Sequence, residues 1–142
     1  VSFPRRMSRV RAPSLAPNII MKIYLAHSSK LNYKDDLYDP IRRSTLNKEH
    51  EIIYFCDDPA YTNKSSKEII LQSDVVIAEI SEESTGLGIE IGWANANGIR
   101  IIFVHRTGKT IKEYMKSISA EIVEYDKTET LIDSLKKLLQ RS

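Results

Sequence analysis

The sequence predicts an α/β fold: a three-layer, Rossmann-like or flavodoxin-like arrangement in which helices cover both faces of a five-stranded parallel sheet. Three observations favour it. Short apolar segments alternate along the chain with segments of helical periodicity, as in successive strand–helix–strand units. Residues 75–78 are apolar at every position, as in a strand buried on both faces. A glycine-rich segment and a helical pattern follow that strand, which is a common arrangement at anion sites.

The individual elements can be predicted in order. Strands are expected at residues 19–26, 51–55, 75–80, 100–105 and 121–125, and helices at residues 33–46, 65–72, 87–97, 110–117 and 129–140. Pro40 lies within the first helix, so a kink or a late start is expected there. Gly98 follows the central helix, as a C-terminal glycine would. The last helix is amphipathic, which predicts that one of its faces packs on the sheet.

The composition indicates a single globular domain with a short extension. A chain of 142 residues is long enough for one domain, which we expect at residues 21–142. Residues 1–20 carry four arginines and no acidic residue, which predicts a loosely ordered basic extension. Such a segment is also typical of a transit peptide. We favour instead the interpretation that Met21 is the natural start.

Charge, hydropathy and cysteine content narrow the classes of partner and the cellular location that we expect. The net charge is +2, and removing the four arginines of residues 1–20 leaves −2 for the rest, so no nucleic-acid-binding face is expected. The sequence lacks an apolar run of about 18 residues, so no membrane segment is expected. Cys56 is the single cysteine, which precludes an internal disulfide and suits a reducing compartment. A cytoplasmic location is therefore expected.

Candidate functional residues follow from a rule of open α/β sheets, in which ligands bind beyond the carboxyl ends of the strands. The residues that lie at or after those ends in the predicted elements are Tyr24, His27, Ser28, Glu79, Ser81, Ser84 and Glu90. We therefore expect a small-molecule ligand at this edge of the sheet. The three histidines and Cys56 do not have metal-ligand spacing, and neither a metal nor a cofactor is predicted.

Two carboxylates near the glycine-rich segment are the candidates for chemistry. Glu90 is predicted in the first helical turn, where it is either a nucleophile or general base or a carboxylate that stabilises the helix dipole. From the residues alone, the dipole role is favoured. Glu79 ends the central strand and either belongs to the site or caps the next loop. Two carboxylates in one pocket would suit the cleavage of a glycosidic bond.

Glycines and small polar residues nearby suggest an anion site. The spacing of Gly86, Gly88 and Gly92 is G-x-G-x-x-x-G, which differs from the dinucleotide fingerprint G-x-G-x-x-G and does not favour a nicotinamide cofactor. These glycines either bring backbone N–H groups close to a phosphate or allow close packing of the helix on the sheet. Phosphate contacts could also come from Ser28, Lys30 and Ser84, although such residues often only form turns.

Three motifs carry a resemblance to a known family. They are K-I-Y-L-A-H-S at residues 22–28, S-D-V-V-I-A-E-I-S at residues 73–81 and S-T-G-L-G-I-E-I-G-W-A at residues 84–94. The chain resembles the nucleoside 2-deoxyribosyltransferase superfamily from about residue 22 to about residue 108. Its closer resemblance is to the hydrolytic branch, the 2′-deoxynucleoside 5′-monophosphate N-glycosidases. The resemblance implies a homodimer that hydrolyses the N-glycosidic bond of a (deoxy)nucleoside 5′-monophosphate.

The resemblance also implies roles for individual residues. Glu90 corresponds to the nucleophile that forms a glycosyl-enzyme intermediate, and Tyr24 to the tyrosine that positions it. Ser28 and Ser84 correspond to serines that contact the phosphate, and Lys30 stands where the hydrolases have an arginine. The nucleoside transferases have an aspartate at the position of Ser84. A neutral hydroxyl there accepts a phosphate that a carboxylate would repel, which favours the hydrolytic branch.

Two positions depart from the family pattern. Ser66 lies where the family has a catalytic aspartate, and Lys112 lies where a neighbouring subunit lends a serine to the site. Three functions are therefore considered. The first is a nucleotide N-glycosidase, and the second is a nucleoside 2-deoxyribosyltransferase, which Ser84 disfavours. The third is a nucleotide-binding module that has lost catalysis, with which Ser66 is consistent.

Overall fold

A computed structural model describes residues 19–140 of the chain. The basic extension expected at residues 1–20 therefore lies, apart from its last two residues, outside the described part. Residues 19–140 contain five strands, which are β1 (Lys22–His27), β2 (Glu51–Ile53), β3 (Val75–Glu79), β4 (Arg100–Arg106) and β5 (Ile122–Tyr125). They form one parallel sheet in the order β2-β1-β3-β4-β5. This is a flavodoxin-like order, and it confirms the predicted fold class.

Helical segments connect all the strands, as parallel pairing requires. A π-helical turn at Lys34–Tyr38 leads into α1 (Asp39–Arg42), and the next helices are α2 (Leu46–Glu49), α3 (Ser66–Leu71), α4 (Thr85–Ala96), α5 (Glu113–Ile118) and α6 (Thr128–Leu139). A short 3₁₀ turn at Pro59–Tyr61 lies between β2 and α3. Among residues 19–140, none of these helices is long and apolar enough to cross a membrane.

Successive strand residues alternate between two apolar cores, one on each face of the sheet. Along β1, Ile23 and Leu25 belong to the core covered by α1, α2 and α6. Tyr24 and Ala26 belong to the core covered by α3, α4 and α5. All of β3 is buried, as its unbroken apolar run predicted. Each fully buried aliphatic side chain contributes about 1.5–3 kcal/mol, so the two cores hold both helical layers against the sheet.

The helix predicted at residues 33–46 is divided into shorter segments. Pro40 follows directly on a π-helical turn, in which the N–H of Asp39 donates to the carbonyl of Lys34. The helix therefore does not start late, and the irregular turn lies just before the proline, which cannot donate a backbone hydrogen bond. β2 is shorter than predicted because the carbonyl of Tyr54 accepts the N–H of Asp57 at 3.0 Å and turns the chain.

Helix α4 begins earlier than the sequence predicted. Its first residue is Thr85 rather than Leu87, so the three glycines lie within the helix and not in a turn before it. Ser84 caps the helix, because its Oγ accepts the N–H of Leu87 at 3.3 Å. The serine expected to contact phosphate therefore stands directly at the N-terminus of a 12-residue helix.

The C-terminus of α4 has the glycine cap that the sequence predicted. The N–H of Gly98 donates to the carbonyl of Asn95 at 3.2 Å, and the N–H of Ile99 donates to that of Ala94 at 3.0 Å. This pair of bonds is a Schellman motif. Gly98 has a φ of +68°, a conformation that glycine adopts without a steric penalty. The motif directs the chain from α4 straight into β4.

Candidate active site

The sheet places a crevice between β1 and β3. From β1 the chain continues to β2, which pairs on one edge of β1, and it then returns to β3, which pairs on the other edge. The strand order therefore reverses between β1 and β3. In open α/β sheets, ligands bind beyond the carboxyl ends of the strands at such a reversal. The loops after β1 and β3 and the N-terminus of α4 border this crevice. Most of the candidate residues in the sequence belong to these three segments.

Tyr24 and Glu90 meet at one flank of α4. The side chain of Tyr24 leaves the middle of β1 toward the core beneath α4, and the residue is 2% exposed. Its hydroxyl donates to Oε2 of Glu90 across 2.7 Å. Glu90 itself is half-buried. The hydrogen bond fixes one carboxylate oxygen, and the planar carboxylate then presents Oε1 in a defined direction.

The prediction that Glu90 lies in the first helical turn is wrong. Because α4 begins at Thr85, Glu90 is its sixth residue and lies in the second turn. Favourable interactions of a carboxylate with the helix dipole fall off beyond the first turn. The dipole role, which the residues alone favoured, therefore loses its geometric basis. What the structure provides instead is a specific partner, the hydroxyl of Tyr24.

The environment of the pair determines its protonation. Burial raises the pKa of Glu90, while hydrogen bonds from the hydroxyls of Ser66 and Tyr24 oppose that rise. Burial also raises the pKa of Tyr24 far above its usual range, and the negative charge of Glu90 adds to the effect. The phenol therefore keeps its proton at neutral pH and acts as a hydrogen-bond donor. A carboxylate held by neutral donors in this way can act as a nucleophile.

Helix α3 brings Ser66 to the same two side chains. Ser66 is the first residue of α3, and its hydroxyl lies near enough to both side chains to lower the pKa of Glu90 and that of Tyr24. Its neighbour Ser65 has the separate task of capping the helix, since its Oγ accepts the N–H of Lys67 at 3.2 Å. The position that the family resemblance gives to an aspartate therefore faces Glu90, but in this chain it carries a neutral hydroxyl.

Sequence reasoning missed several side chains around this pair. The ring of Phe55 lies 6.0 Å from that of Tyr24, and Tyr61 stacks on Phe55 at 5.6 Å. Cys56 is exposed as a residue, but its thiol is partly buried. That partial burial, together with the negative charge of Glu90, raises the pKa of the thiol. Phe55 and Cys56 follow the carboxyl end of β2, so the rule that selected the other candidates also selects them.

Glu79 does not share a pocket with Glu90. It alternates with Ala78 along β3 and so faces the opposite side of the sheet, where it is 1% exposed. Its carboxylate accepts the hydroxyl of Tyr125, the N–H of Ser81 at 2.6 Å and the Ser81 hydroxyl at 3.0 Å. These three donors satisfy a buried charge and cap the following loop. The pocket with two carboxylates that the sequence suggested is therefore not formed by these residues.

His27 also faces away from Glu90. Its Nε2 lies 2.8 Å from the hydroxyl of Tyr38, its Nδ1 lies 3.1 Å from the carbonyl oxygen of Ser28, and its ring stacks on Tyr33. Burial lowers the pKa of His27, which keeps the imidazole neutral at pH 7. Its role in this arrangement is to pack and orient the loop after β1. Within residues 19–140, no cluster of histidine, cysteine and acidic side chains is arranged to hold a metal ion.

Polar residues follow β1 and precede α4. Ser28 is fully buried at the end of β1, and its Oγ accepts the N–H of Lys30 at 3.0 Å. Lys30 is exposed. On the other side, Ser84 caps α4. The first N–H groups of any helix lack intrahelical acceptors and favour a bound anion, so this end of the crevice has the chemistry of a phosphate site.

The two glycines predicted to contact substrate differ in position. Gly86 lies four residues before Glu90 and therefore on the same flank of α4, in the first turn. Gly88 is two residues from Glu90, which places it about 200° around the helix. Its N–H already donates to the carbonyl of Ser84 at 3.1 Å. A Cβ added at Gly86 would have no described atom within 4 Å, so there is open space beside Glu90.

A groove of about 820 Å³ lies on the Gly88 flank of α4, between that helix and α5. Its walls include Lys30, Ser84, Gly88, Met115 and Lys112. One wall is apolar, while the end near the first turn of α4 is charged. The groove and the Glu90 flank meet at the N-terminus of α4. A ligand bound over that first turn could therefore reach Glu90 at one end and the two lysines at the other.

Comparison with solved structures places this fold among known proteins. The chain superposes on a CMP N-glycosidase from Clostridium botulinum, BcmB, with a TM-score of 0.61, 24% sequence identity, and coverage of 81% of this chain and 98% of the other. It also superposes on a conserved protein from Enterococcus faecalis V583 with a TM-score of 0.57, 18% identity, and coverage of 84% and 99%. At these identities the likeness shows a shared fold. No family model matches the chain, and no curated protein matches it.

Proposed function

We propose that this chain is a nucleotide N-glycosidase. Its substrate would be a (deoxy)nucleoside 5′-monophosphate, and its products the free base and (deoxy)ribose 5-phosphate. The observation that carries the proposal is the hydrogen bond from Tyr24 to Glu90 beside the reversal in strand order. The resemblance of residues 84–94 to a nucleophile motif and the likeness of the fold to a CMP N-glycosidase support the same class of reaction.

In the first step of the proposed reaction, the carboxylate of Glu90 attacks C1′ of the sugar. Because Tyr24 holds Oε2, Oε1 is the attacking oxygen. The bond from Oε1 to C1′ forms as the bond from C1′ to the base nitrogen breaks. The base leaves with the bonding electron pair and takes a proton from solvent. A carboxylate at this position also stabilises the oxocarbenium-like charge that develops on the sugar.

In the second step, water resolves the glycosyl-enzyme intermediate. The water oxygen bonds to C1′ as the ester bond to Glu90 breaks, and the water loses a proton to solvent. Glu90 returns to its carboxylate form and Tyr24 keeps its own proton throughout, because burial holds the pKa of the phenol high. Tyr24 is therefore a positioning residue in this reaction, and Glu90 is the catalytic residue.

The 5′-phosphate would lie over the first turn of α4. Its oxygens would accept the N–H groups of that turn and the hydroxyls of Ser28 and Ser84, and its charge would be balanced by Lys30 and Lys112. The sugar would then occupy the open space beside Gly86, next to Glu90. The neutral cap residue Ser84 favours a phosphorylated substrate, since a carboxylate there would repel the phosphate. No cofactor takes part.

Ser66 favours a second candidate function, a nucleotide-binding module that has lost catalysis. A neutral hydroxyl at this position supplies neither the charge nor the acidic proton of an aspartate. A nucleoside 2-deoxyribosyltransferase uses the same nucleophile but needs an acceptor base, and Ser84 disfavours it. In each case the family resemblance implies a homodimer, and the single cysteine suits the cytoplasm.

A base-release assay tests the proposal. Residues 21–142 are incubated with each of the four 2′-deoxynucleoside 5′-monophosphates and with the matching nucleosides, and free base is measured by chromatography. Release from monophosphates alone, without an acceptor base, is the result expected. Release that requires an added base would identify a transferase. Ligand that raises the melting temperature without any release would identify the binding module.

The nucleophile is tested in the same assay with Glu90→Gln. This variant keeps the shape and polarity of the side chain and should lose roughly a thousand-fold or more of the base release. Glu68→Gln is the matched control, because Glu68 is an exposed acid on α3. Unchanged release in Glu90→Gln would remove Glu90 from the nucleophile role. Mass spectrometry of acid-quenched wild-type enzyme should find the sugar phosphate attached to the peptide that contains Glu90.

A further inference from the structure

In the proposed phosphate site, a carboxylate of the protein already forms an ion pair with one of the two lysines. Oε1 of Glu83 lies 2.6 Å from Nζ of Lys112. The positive charge of Lys30 acts on the same carboxylate, and the two lysines together hold the pKa of Glu83 below its usual range, with Lys112 the larger cause. Lys30, Glu83 and Lys112 all line the groove that begins at Ser84. One anionic group of the protein thus forms an ion pair with Lys112 and lies within the electrostatic reach of Lys30, in the groove that begins at Ser84.

The neighbouring acid makes a contrasting contact. Glu82 also lines the groove, but it pairs with Lys109 at 3.0 Å, and Lys109 is not among the lining residues. The two acids are adjacent in one loop and carry the same charge, but only Glu83 neutralises the lysines assigned to phosphate. Glu83 is also easily displaced, because its side chain is 72% exposed and that of Lys112 is 54% exposed. Exposed ion pairs are weak.

We propose that Glu83 is a specificity-determining residue that competes with the substrate phosphate for Lys112 and Lys30. This inference rests on the proposed function and adds a residue that the family resemblance does not assign. Without ligand, the Glu83 carboxylate balances the two lysines. A nucleotide phosphate, which carries up to two negative charges, displaces it and takes over both cations. An unphosphorylated nucleoside has no group that could displace Glu83.

The competition lowers the affinity for phosphorylated ligands. Breaking the ion pair of Glu83 and leaving its charge near the bound phosphate both oppose binding. Removing the charge of Glu83 should therefore tighten the binding of a nucleoside monophosphate by about 1.5- to five-fold, the range that exposed ion pairs produce. The affinity for the matching nucleoside should not change. The gain should shrink at high ionic strength, because salt screens exposed charges.

The test measures dissociation constants by calorimetry in a Glu90→Gln background, in which substrate is not consumed. The ligands are the four 2′-deoxynucleoside 5′-monophosphates, the matching nucleosides and inorganic phosphate. Glu83→Gln is compared with Glu82→Gln, which removes the same charge one residue away. A Glu83→Gln/Lys112→Gln double variant, compared with Lys112→Gln alone, asks whether the effect passes through Lys112. Base release by the parent chain is measured in parallel.

Tighter binding of monophosphates in Glu83→Gln, with little change in Glu82→Gln and loss of the gain in the double variant, is the expected result. An equal gain in affinity in Glu82→Gln would overturn the proposal, because it would show that the loss of any nearby negative charge has the same effect. Unchanged binding of monophosphates in Glu83→Gln would also overturn the proposal about Glu83. If the parent chain releases base in that case, the proposed N-glycosidase function still stands. Absence of both monophosphate binding and base release would overturn the two proposals together.

Discussion

The hydroxyl of Tyr24 lies 2.7 Å from Oε2 of Glu90, which joins the middle of β1 to the second turn of α4 across 66 residues of sequence. Both groups lie on the face of the sheet that α3 and α4 cover. The phenol keeps its proton because burial raises its pKa, so the bond has one donor and one acceptor at neutral pH. It orients the carboxylate and favours its charged form.

Tyr24→Phe should therefore lower kcat and shift its dependence on pH. Loss of the hydrogen bond leaves Glu90 less well oriented, which should reduce kcat by roughly ten- to a hundred-fold with a smaller change in KM. The bond lowers the pKa of Glu90, so its removal raises that pKa. The acidic limb of the pH–rate profile should then move to higher pH. A profile that only scales down would show that Tyr24 acts through packing alone.

Glu90→Gln should stabilise the fold relative to wild type by more at neutral pH than at acidic pH. Burial raises the pKa of Glu90 in the folded state, so the folded chain binds the proton more tightly than the unfolded chain. The wild-type fold therefore loses stability as pH rises from 4.5, the ordinary pKa of a glutamate, through the higher pKa of Glu90 in the folded chain. Glutamine does not titrate. The melting temperature of Glu90→Gln minus that of wild type should be larger at pH 7 than at pH 4, and the opposite order would contradict the burial argument.

Gly86→Ala and Gly88→Ala should have different effects on ligand binding, because the two glycines lie on different flanks of α4. A methyl group at either position has no described atom within 4 Å, so neither variant should lose stability. Gly88→Ala, in the helix interior, should gain about 0.5–1 kcal/mol in the free energy of unfolding. Gly86→Ala places its methyl group in the space beside Glu90 and should weaken binding of the monophosphates by roughly ten-fold or more. Equal effects on binding would remove Gly86 from the sugar site.

Ser66→Asp should increase base release. The hydroxyl of Ser66 lies near enough to Glu90 to lower the pKa of that carboxyl, so an aspartate there would place a second titratable group beside the proposed nucleophile. An added group that can donate a proton to the departing base should raise kcat by about ten-fold or more at mildly acidic pH. Ser65→Asp is the matched control, because an aspartate caps a helix as well as serine does and adds the same charge one residue away. Equal rates in the two variants would contradict a specific role for position 66.

The fold could be predicted from the sequence where the pattern of apolar residues directly reflects which residues are buried. An unbroken apolar run predicted β3, and alternation of strands with helices predicted the parallel sheet. The boundaries were less accurate, because turns depend on hydrogen bonds that the pattern does not contain. β2 ends at Ile53, since the carbonyl of Tyr54 turns the chain, and α4 starts at Thr85, since Ser84 caps it.

The sequence by itself determined the fold class, and it predicted the edge of the sheet at which we expect a ligand and the residue types near it. Only the tertiary structure decided which side chains meet. Glu79 and Glu90 were both candidates in the sequence, but strand alternation turns Glu79 toward Tyr125 on one face while α4 carries Glu90 to Tyr24 on the other. Which of two acids meets which tyrosine depends on register and on where a helix begins, and both are set by contacts between residues distant in sequence.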